Sequence, residues 1–521
     1  MANFKWKTRN IALKSVFILA ILFSILPGAA HAQSDPIEER YLTAGGRDVM
    51  GEPDSTQNNL TCDWEGVYRR FGSNSAIYYH PRTSAQILQG YILARYLEIG
   101  QGYGGGECSW LGYPITDEYY AADNYGRYNR FENGVIYWSE ETGAHEMRQD
   151  IYDKWFSLGN VSSFLGYPVT GSVKIDDQNY YNQFEHGLIW WNTTYGAFEM
   201  HGEIWNKFGG FSVLGWYDIS RTGAPMTNVL TSDNVGEYVD FERLSIYHHP
   251  DLGTYSVQGA IRNKWADLGW ETSFLGYPLT DELWAPDQNG RYNHFQGGSI
   301  YWHPNIGAYE VHGFIRDFWA NQAWEQGPLG YPMSDEQDMP GGRYSVFEGG
   351  VVAWKPGIDP YYANYRKISA DMIIQMIDNQ IPTLIANTPL YVDGPTEIVG
   401  VHHWYPINGT RYYRVLEIVL NLKADVEGVI DPEVTLHLFL TIELQEGQIV
   451  VRVVDLQGSA DSPWWADLIS LGFQEIVDSV ATDQMQEQMQ SALGRSFNLP
   501  ALNTLAAQIQ DDGSVNLYHP D

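Results

Sequence analysis

Three pairs of adjacent carboxylates, Asp117-Glu118, Asp281-Glu282 and Asp335-Glu336, each follow a tyrosine by the same short step, at Tyr113, Tyr277 and Tyr331. Aromatic faces beside carboxylates suit sugars, because the ring takes a CH-rich sugar face and the acid accepts hydroxyls. With Tyr167, which stands in the same phrase without the acid pair, these ten residues form the candidate ligand-binding set. Two structural readings compete with it. The acids could cap turns or pair with Arg127, Arg291 and Arg343, and the strand tryptophans Trp138, Trp191, Trp302 and Trp354 could serve inter-module packing.

Catalytic signatures are missing from the chain. It holds no Gly-x-Ser-x-Gly elbow, no His-Glu-x-x-His, no phosphate-binding glycine loop and no cysteine nucleophile. His248-His249 and His402-His403 are neighbours, so in a strand they point to opposite faces and make poor joint metal ligands. A glycosidase pair built from distant carboxylates stays open, but 64 acidic residues give it no specificity. The acid-rich turns Asp123-Asn-Tyr-Gly126, Asp176-Asp-Gln-Asn179, Asp233-Asn-Val-Gly236 and Asp287-Gln-Asn-Gly290 lack the ligand spacing of a calcium loop. They read as Asx turns, and neither a metal nor a cofactor is expected.

The elements that must position these residues repeat. Leu-Gly-Tyr-Pro occurs at Leu111 to Pro114, Leu165 to Pro168, Leu275 to Pro278 and Leu329 to Pro332. Met50-Gly-Glu-Pro53 reads as a degenerate first copy, and Leu214-Gly-Trp-Tyr217 as a copy that has lost its proline. Each phrase follows a helical stretch, so its glycine is expected at a left-handed C-cap and its proline to drive the chain into extended backbone. Behind it come hairpin turns such as Asn133-Gly134, Gly297-Gly298 and Gly349-Gly350. Third strands are expected at Ala144 to Met147, Ala197 to Met200 and Ala308 to Val311. A module of helix, phrase and small meander cannot bury both faces alone, so neighbours must stack.

The run Leu-Gly-Tyr-Pro-x-Thr-Asp-Glu, Gly-Arg-Tyr-x-x-Phe-x-x-Gly-x-Ile-Tyr-Trp, Gly-Ala-x-x-Val-His-Gly-x-Ile-x-x-x-Trp resembles the LGFP repeat of bacterial cell-envelope proteins, across residues 37 to 356. The resemblance implies a tandem array found beside secreted envelope enzymes, holding proteins to cell-wall polysaccharide and packed as a closed, propeller-like ring.

Residues 1–32 read as a signal peptide. Lys5, Lys7, Arg9 and Lys14 precede an apolar run from Val16 to Leu26, and Ala30-His-Ala32 is a small-x-small cleavage signal. A secreted or cell-envelope location follows, with no transmembrane segment after cleavage. The net charge of −33 argues against nucleic acid, whose phosphates demand clustered Lys and Arg. Cys62 and Cys108 are the only cysteines, and in an exported chain they are expected to form a disulfide across the first module.

The expected architecture is multidomain: six repeat modules over 33–356, a linker at 357–365, and an α+β domain of unassigned role at 366–521. Ile368, Met372, Ile373, Met376, Ile377 and Ile381 recur at helical spacing. Apolar residues then alternate along 416–426, 434–444 and 449–456, which predicts an antiparallel sheet with one apolar face. A second helical region at Trp464 to Leu493 and an edge strand at Val515 to Tyr518 complete that domain. The function expected is binding to cell-wall or surface polysaccharide by the array. Alternatives are a secreted carbohydrate-active hydrolase, or a protein-binding scaffold with a lipid-binding C-terminal domain.

Overall fold

A computed structural model describes residues 35–520 except 57, 73, 101–105, 214–215, 218, 380, 386–389, 408–409, 425–432, 446–447 and 460–503. The expected signal peptide and the expected helical region from Trp464 to Leu493 lie outside the described residues. The chain divides into two compact units, residues 1–163 with 167–172, and 164–166 with 173–521.

Within the first unit two modules follow one another. Helix Pro36–Thr43 starts on Asp35, whose carboxylate accepts from the Ile37 amide. The four-stranded meander Asn59–Leu60, Val67–Phe71, Ser75–His80 and Ser84–Gln89 comes next. Helix Gly90–Ile99 then leads to a second meander of the same order, with Arg127–Phe131, Gly134–Ser139 and Gly143–Arg148 as its longer strands. Cys62 and Cys108 form a disulfide with their Cα atoms 5.9 Å apart.

The second unit repeats the pattern. Meanders centred on Gly187–Asn192, Leu244–His249, Gly298–His303 and Gly350–Lys355 are separated by helices Gly202–Gly209, Gly259–Leu268 and Gly313–Asn321. All sheet pairing is antiparallel with the expected third strands present, and no closed barrel or propeller is found among the described residues.

Helices of 8 to 10 residues are too short to hold themselves in water, so packing must hold them. Each contributes one fully buried aromatic: Tyr96, Trp155, Phe208, Trp265 and Trp319. These rings meet a ring of the central strand edge-on, as in Tyr137–Trp155 at 4.8 Å, Tyr247–Trp265 at 4.7 Å and Tyr301–Trp319 at 4.7 Å. Burying one such side chain contributes roughly 1.5–3 kcal/mol, and edge contact adds about 1.

The recurring phrase behaves differently from its expectation in one respect. Its glycines are left-handed, as at Gly112 (φ 77°) and Gly276 (φ 66°), but they do not cap the helices. Gly269 caps helix Gly259–Leu268, Gly159 is the left-handed residue just past the Leu158 cap of helix Gln149–Ser157, and a 3₁₀ turn (Asn160–Ser162, Trp270–Thr272) lies between each of these glycines and the phrase. The phrase proline bridges to the phenylalanine of the following strand, as Pro114 to Phe131, Pro278 to Phe295 and Pro332 to Phe347.

That bridge also corrects the fourth copy. Pro225 bridges to Phe241, Gly223 is left-handed (φ 70°), and the Ala224 amide donates to Glu242, as the Tyr113 amide donates to Glu132. The fourth phrase is therefore Thr222-Gly-Ala-Pro225, with its proline kept and its tyrosine lost. Trp216–Tyr217 is a two-residue strand of an insertion, and Tyr217 fills the vacated core position, stacked on Phe208 at 4.7 Å. The degenerate first copy is in register, since Gly51 is left-handed and Pro53 bridges to Phe71.

Residues expected as a linker are structured. Ile358–Tyr362 is the fourth strand of the sixth sheet, and Asn364–Ile368 pairs with Val515–His519. The latter is the middle strand of its three-stranded sheet, not an edge. Met339, Tyr344, Val351 and Ala353 of the last module share one core with Ala506 and Tyr518, so the C-terminal part packs on the array. Helix Ala370–Asp378 falls where the helical spacing placed it and buries Ile373 and Ile377 on a sheet whose inner face carries Leu416, Ile418, Leu436 and Leu438. Strand Glu397–Ile407, which breaks the simple alternation, was not anticipated.

Candidate functional site

The four phrase tyrosines are buried, so they offer no open ring face. Tyr113 is 2% exposed and Tyr277 6%. Their hydroxyls reach into the acid-rich turn of the preceding module. Tyr113 donates to Asp63 at 2.7 Å, Tyr167 to Asp123 at 2.6 Å and Tyr277 to Asp233 at 2.8 Å. The turn aspartate also accepts two backbone amides, as Asp233 does from Val235 and Gly236. Burial pushes these carboxyl groups up, but the hydroxyl and amide bonds outweigh it and hold Asp63, Asp123, Asp233 and Asp287 below the usual range.

The last residue of each such turn lies under the tyrosine. A Cβ on Gly126 would stand 2.4 Å from the Tyr167 Oη, and one on Gly236 or Gly290 2.4 Å from that of Tyr277 or Tyr331. Only glycine fits such an approach. Where the phrase has Ala224 in place of tyrosine, the preceding turn ends in Asn179, whose side-chain oxygen accepts from Trp190 Nε1 at 3.0 Å. These turns thus serve as tyrosine sockets, and among the described residues no acidic cluster is arranged to hold a metal.

Asp117, Asp281 and Asp335 are also tied into the fold. One oxygen of each accepts a backbone amide from the last long strand of the preceding sheet, those of Ile87 (2.8 Å), Ser256 (2.8 Å) and Glu310 (3.1 Å). The other oxygen pairs with a cation on the helix before that sheet: Arg40, Lys207 (2.6 Å) and Lys264 respectively. The third phrase carries Gly171 at this place, and there Glu146 of the strand fills the space and pairs with Arg95 at 2.7 Å.

Glu118, Glu282 and Glu336 have different surroundings. Burial raises the affinity of each carboxyl for its proton, against the pull of nearby cations. Glu282 accepts from Gln258 at 3.0 Å and Arg291 at 3.1 Å, and the Arg291 guanidinium lies flat on exposed Trp284, 3.3 Å above the ring centre. Glu118 faces Arg127 at 3.9 Å, and Arg127 lies 3.4 Å above Tyr120. Glu336 is held by Arg343 and by His312 at 3.3 Å.

Two of these glutamates open onto clefts of the same design. One of about 290 Å³ is lined by Glu282, Arg291, Gln258, Trp302 and the start of helix Gly259–Leu268, with Arg221 and Arg243 at its side. The other, about 260 Å³, has Glu118, Arg127, Gln89, Trp138 and the start of helix Gly90–Ile99. Each joins a carboxylate, a guanidinium braced on an aromatic, an amide and a tryptophan, a combination suited to hydroxyl-rich ligands with apolar ring faces. Ten candidates chosen by recurrence thus separate into buried tyrosines, stapling aspartates, two cleft glutamates, and Glu336, which is held by Arg343 and His312. The cleft residues Gln258, Arg221 and Arg243 were missed, though Gln-Gly before each of these two helices repeats at Gln89-Gly90 and Gln258-Gly259.

In the C-terminal part, His402 does not act with His403. Its imidazole bonds to Glu417 at 2.6 Å, and His437 takes the other oxygen of that carboxylate at 2.7 Å.

The LGFP repeat family matches this chain five times, at residues 111–162, 165–213, 223–273, 275–327 and 329–367. No curated protein matches the chain. Among solved structures, PorZ, described as an essential bacterial surface component of the type-IX secretion system of Porphyromonas gingivalis, is 9% identical, with a TM-score of 0.13 over 81% of this chain and 50% of its own. Hsv2 of Kluyvelomyces marxianus is 5% identical, with a TM-score of 0.09 over 66% of this chain and 97% of its own. Scores this low carry no argument about fold or function.

Proposed function

Residues 111–367 are an array of LGFP repeats, repeats that occur in bacterial cell-surface proteins, and from that premise we propose that this chain is an exported binding protein whose array holds it to cell-wall polysaccharide. The observation that carries this reading is the recurrence of one cleft in two modules, with Glu118, Arg127 and Trp138 in one and Glu282, Arg291 and Trp302 in the other. Spaced copies of a weak site on one chain act together on a polymer, because binding at the first raises the effective concentration at the second. The tyrosine sockets and aspartate staples support the same reading from another side, by fixing how successive modules stack.

The test is sedimentation of the purified full chain with isolated bacterial cell walls. The chain is expected in the pellet, and protease treatment of the walls is expected to leave it there. A chain that remains in the supernatant across salt and pH refutes wall binding. Loss of binding to protease-treated walls would assign a protein partner, and release of reducing sugar in the same tubes would assign a hydrolase.

A further inference from the structure

The two clefts differ at one wall. In the first, Tyr91 lies parallel to Trp138, with ring centres 5.6 Å apart and planes within 5°. In the sixth module Phe314 covers Trp354 in the same way, at 5.0 Å and 20°. Both covering rings sit one residue into the helix, directly after Gly90 and Gly313. The residue at that place in the fifth module is Ala260, and among the described residues no ring stacks on Trp302. Ala260 and Trp302 both line the cleft of about 290 Å³, so the tryptophan borders open space there.

Charge distinguishes the same cleft. Arg221 and Arg243 line it together with Arg291, against the single carboxylate of Glu282. Arg291 is engaged by Glu282, whereas neither Arg221 nor Arg243 pairs with a carboxylate among the described residues. Arg221 lies over Phe211, and Arg243 donates to the Ser220 carbonyl, which leaves further N–H groups of both for a ligand. A chain of net charge −33 repels anions at large, so unpaired guanidiniums gathered beside an open tryptophan have a local purpose.

We infer that the Trp302 cleft is a specialised subsite for a saccharide unit bearing an anionic group, with its apolar ring face on Trp302 and its anion on Arg221 and Arg243. Gln258 and Glu282 take hydroxyls of the same unit. Guanidinium forks suit carboxylate and phosphate alike, so the shared chemistry is a charged sugar. The inference deepens the polysaccharide reading and rests on it for the class of ligand.

The experiment is calorimetric titration of the full chain with trigalacturonic acid, with glucose 6-phosphate and with neutral maltotriose. At least one anionic probe is expected to bind about tenfold or more tightly than maltotriose. The stronger of the two anionic probes identifies carboxylate or phosphate as the source. The double variant Arg221→Gln/Arg243→Gln is expected to abolish that preference. Ala260→Phe, which supplies the ring that Phe314 supplies in the sixth module, is expected to weaken binding about tenfold or more. Absence of binding by all three probes, equal binding of neutral and anionic probes, or variants that bind as the parent does overturns the inference. Sedimentation of the same variants with cell walls separates the two claims. A chain that pellets with walls yet shows no anionic preference loses only this inference, and one that binds the charged probe yet never pellets loses only the wall reading.

Discussion

Replacing Gly236 by alanine tests the tyrosine socket where it is most confined. The new Cβ would stand 2.4 Å from Tyr277 Oη and 2.6 Å from its Cε1 and Cζ. The ring has little room to withdraw, because its other side meets Tyr247 at 6.2 Å and His249 at 4.9 Å, and the residue is 6% exposed. Overpacking of this kind costs about 1–3 kcal/mol, and displacing the hydroxyl from the Asp233 carboxylate forfeits a charged hydrogen bond of about 1.5–3 kcal/mol. A loss of about 2.5–6 kcal/mol is expected. A repeat array does not unfold in one step, so the readout is native-state hydrogen exchange at the amides of Leu244–His249 and Gly253–Gln258. A loss of about 2 kcal/mol accelerates that exchange about thirtyfold. Truncating the ring removes the atoms that the new Cβ meets, so Tyr277→Ala should relieve part of the damage. The double variant is expected to be more stable than the sum of the single losses by about 1 kcal/mol or more. Exchange in Gly236→Ala within about twofold of the parent, or strict additivity in the cycle, refutes the socket.

Two further tests concern charge. Glu107 is buried beside Tyr78 and Tyr96, its carboxylate has no hydrogen-bond partner beyond its own backbone amide, and burial followed by the Asp63 charge pushes its pKa to about 7. The folded value lies above the unfolded 4.5, so the destabilisation is absent below about pH 4.5, grows between the two and is full above about 7. At about 1.4 kcal/mol per pH unit it amounts to about 3 kcal/mol, so Glu107→Gln should stabilise the first unit at pH 8 and do little at pH 4.5. A pH-independent difference in denaturant midpoint between variant and parent would count against this. At Asp281, burial raises the pKa, but the Lys207 pair and the Ser256 bonds override it and leave the group below its usual range. Its contribution is therefore present above the unfolded pKa and lost as pH falls through the lower folded value. Asp281→Asn should cost no more than about 1 kcal/mol because the pair is partly exposed, with the loss shrinking in high salt; a salt-independent loss would contradict the ion-pair account.

The modules were legible because their punctuation is local. A left-handed glycine, a proline and a hairpin turn act within a few residues, so Leu111 to Pro114 announces its own backbone. The fourth phrase escaped because the leucine and tyrosine are packing residues, and packing can be supplied from elsewhere: Tyr217 of an insertion fills the place left by Ala224. The better signal was Gly223 with Pro225 ahead of Phe241, residues set by backbone geometry. The expected linker failed for a related reason. Pro356 is absent from the fourth strand Ile358–Tyr362, and Pro360 stands on the outermost strand of its sheet, where a missing amide is tolerated. For the candidate site, recurrence alone could not separate roles. Asp281 and Glu282 are adjacent and repeat together, yet one oxygen pattern staples Ser256 to Lys207 and the other faces a cleft. Arg221 and Arg243 belong to a single module, so no repeat marked them.

The sockets also fix the phase in which such a chain can be copied. A tyrosine is encoded at the head of one repeat and its aspartate and glycine in the body of the one before, so no cut made at the phrase yields a self-sufficient piece. Duplication or deletion by whole periods nevertheless preserves every pairing, because each junction offers the same tyrosine to the same turn. The junction between the third and fourth repeats is the exception: its turn ends in Asn179, whose side-chain oxygen accepts from Trp190, and its phrase carries Ala224, so a rearrangement that set a tyrosine phrase after the third repeat would place that tyrosine over asparagine. The third and fourth repeats must therefore travel as one cassette, while their neighbours can be gained or lost singly.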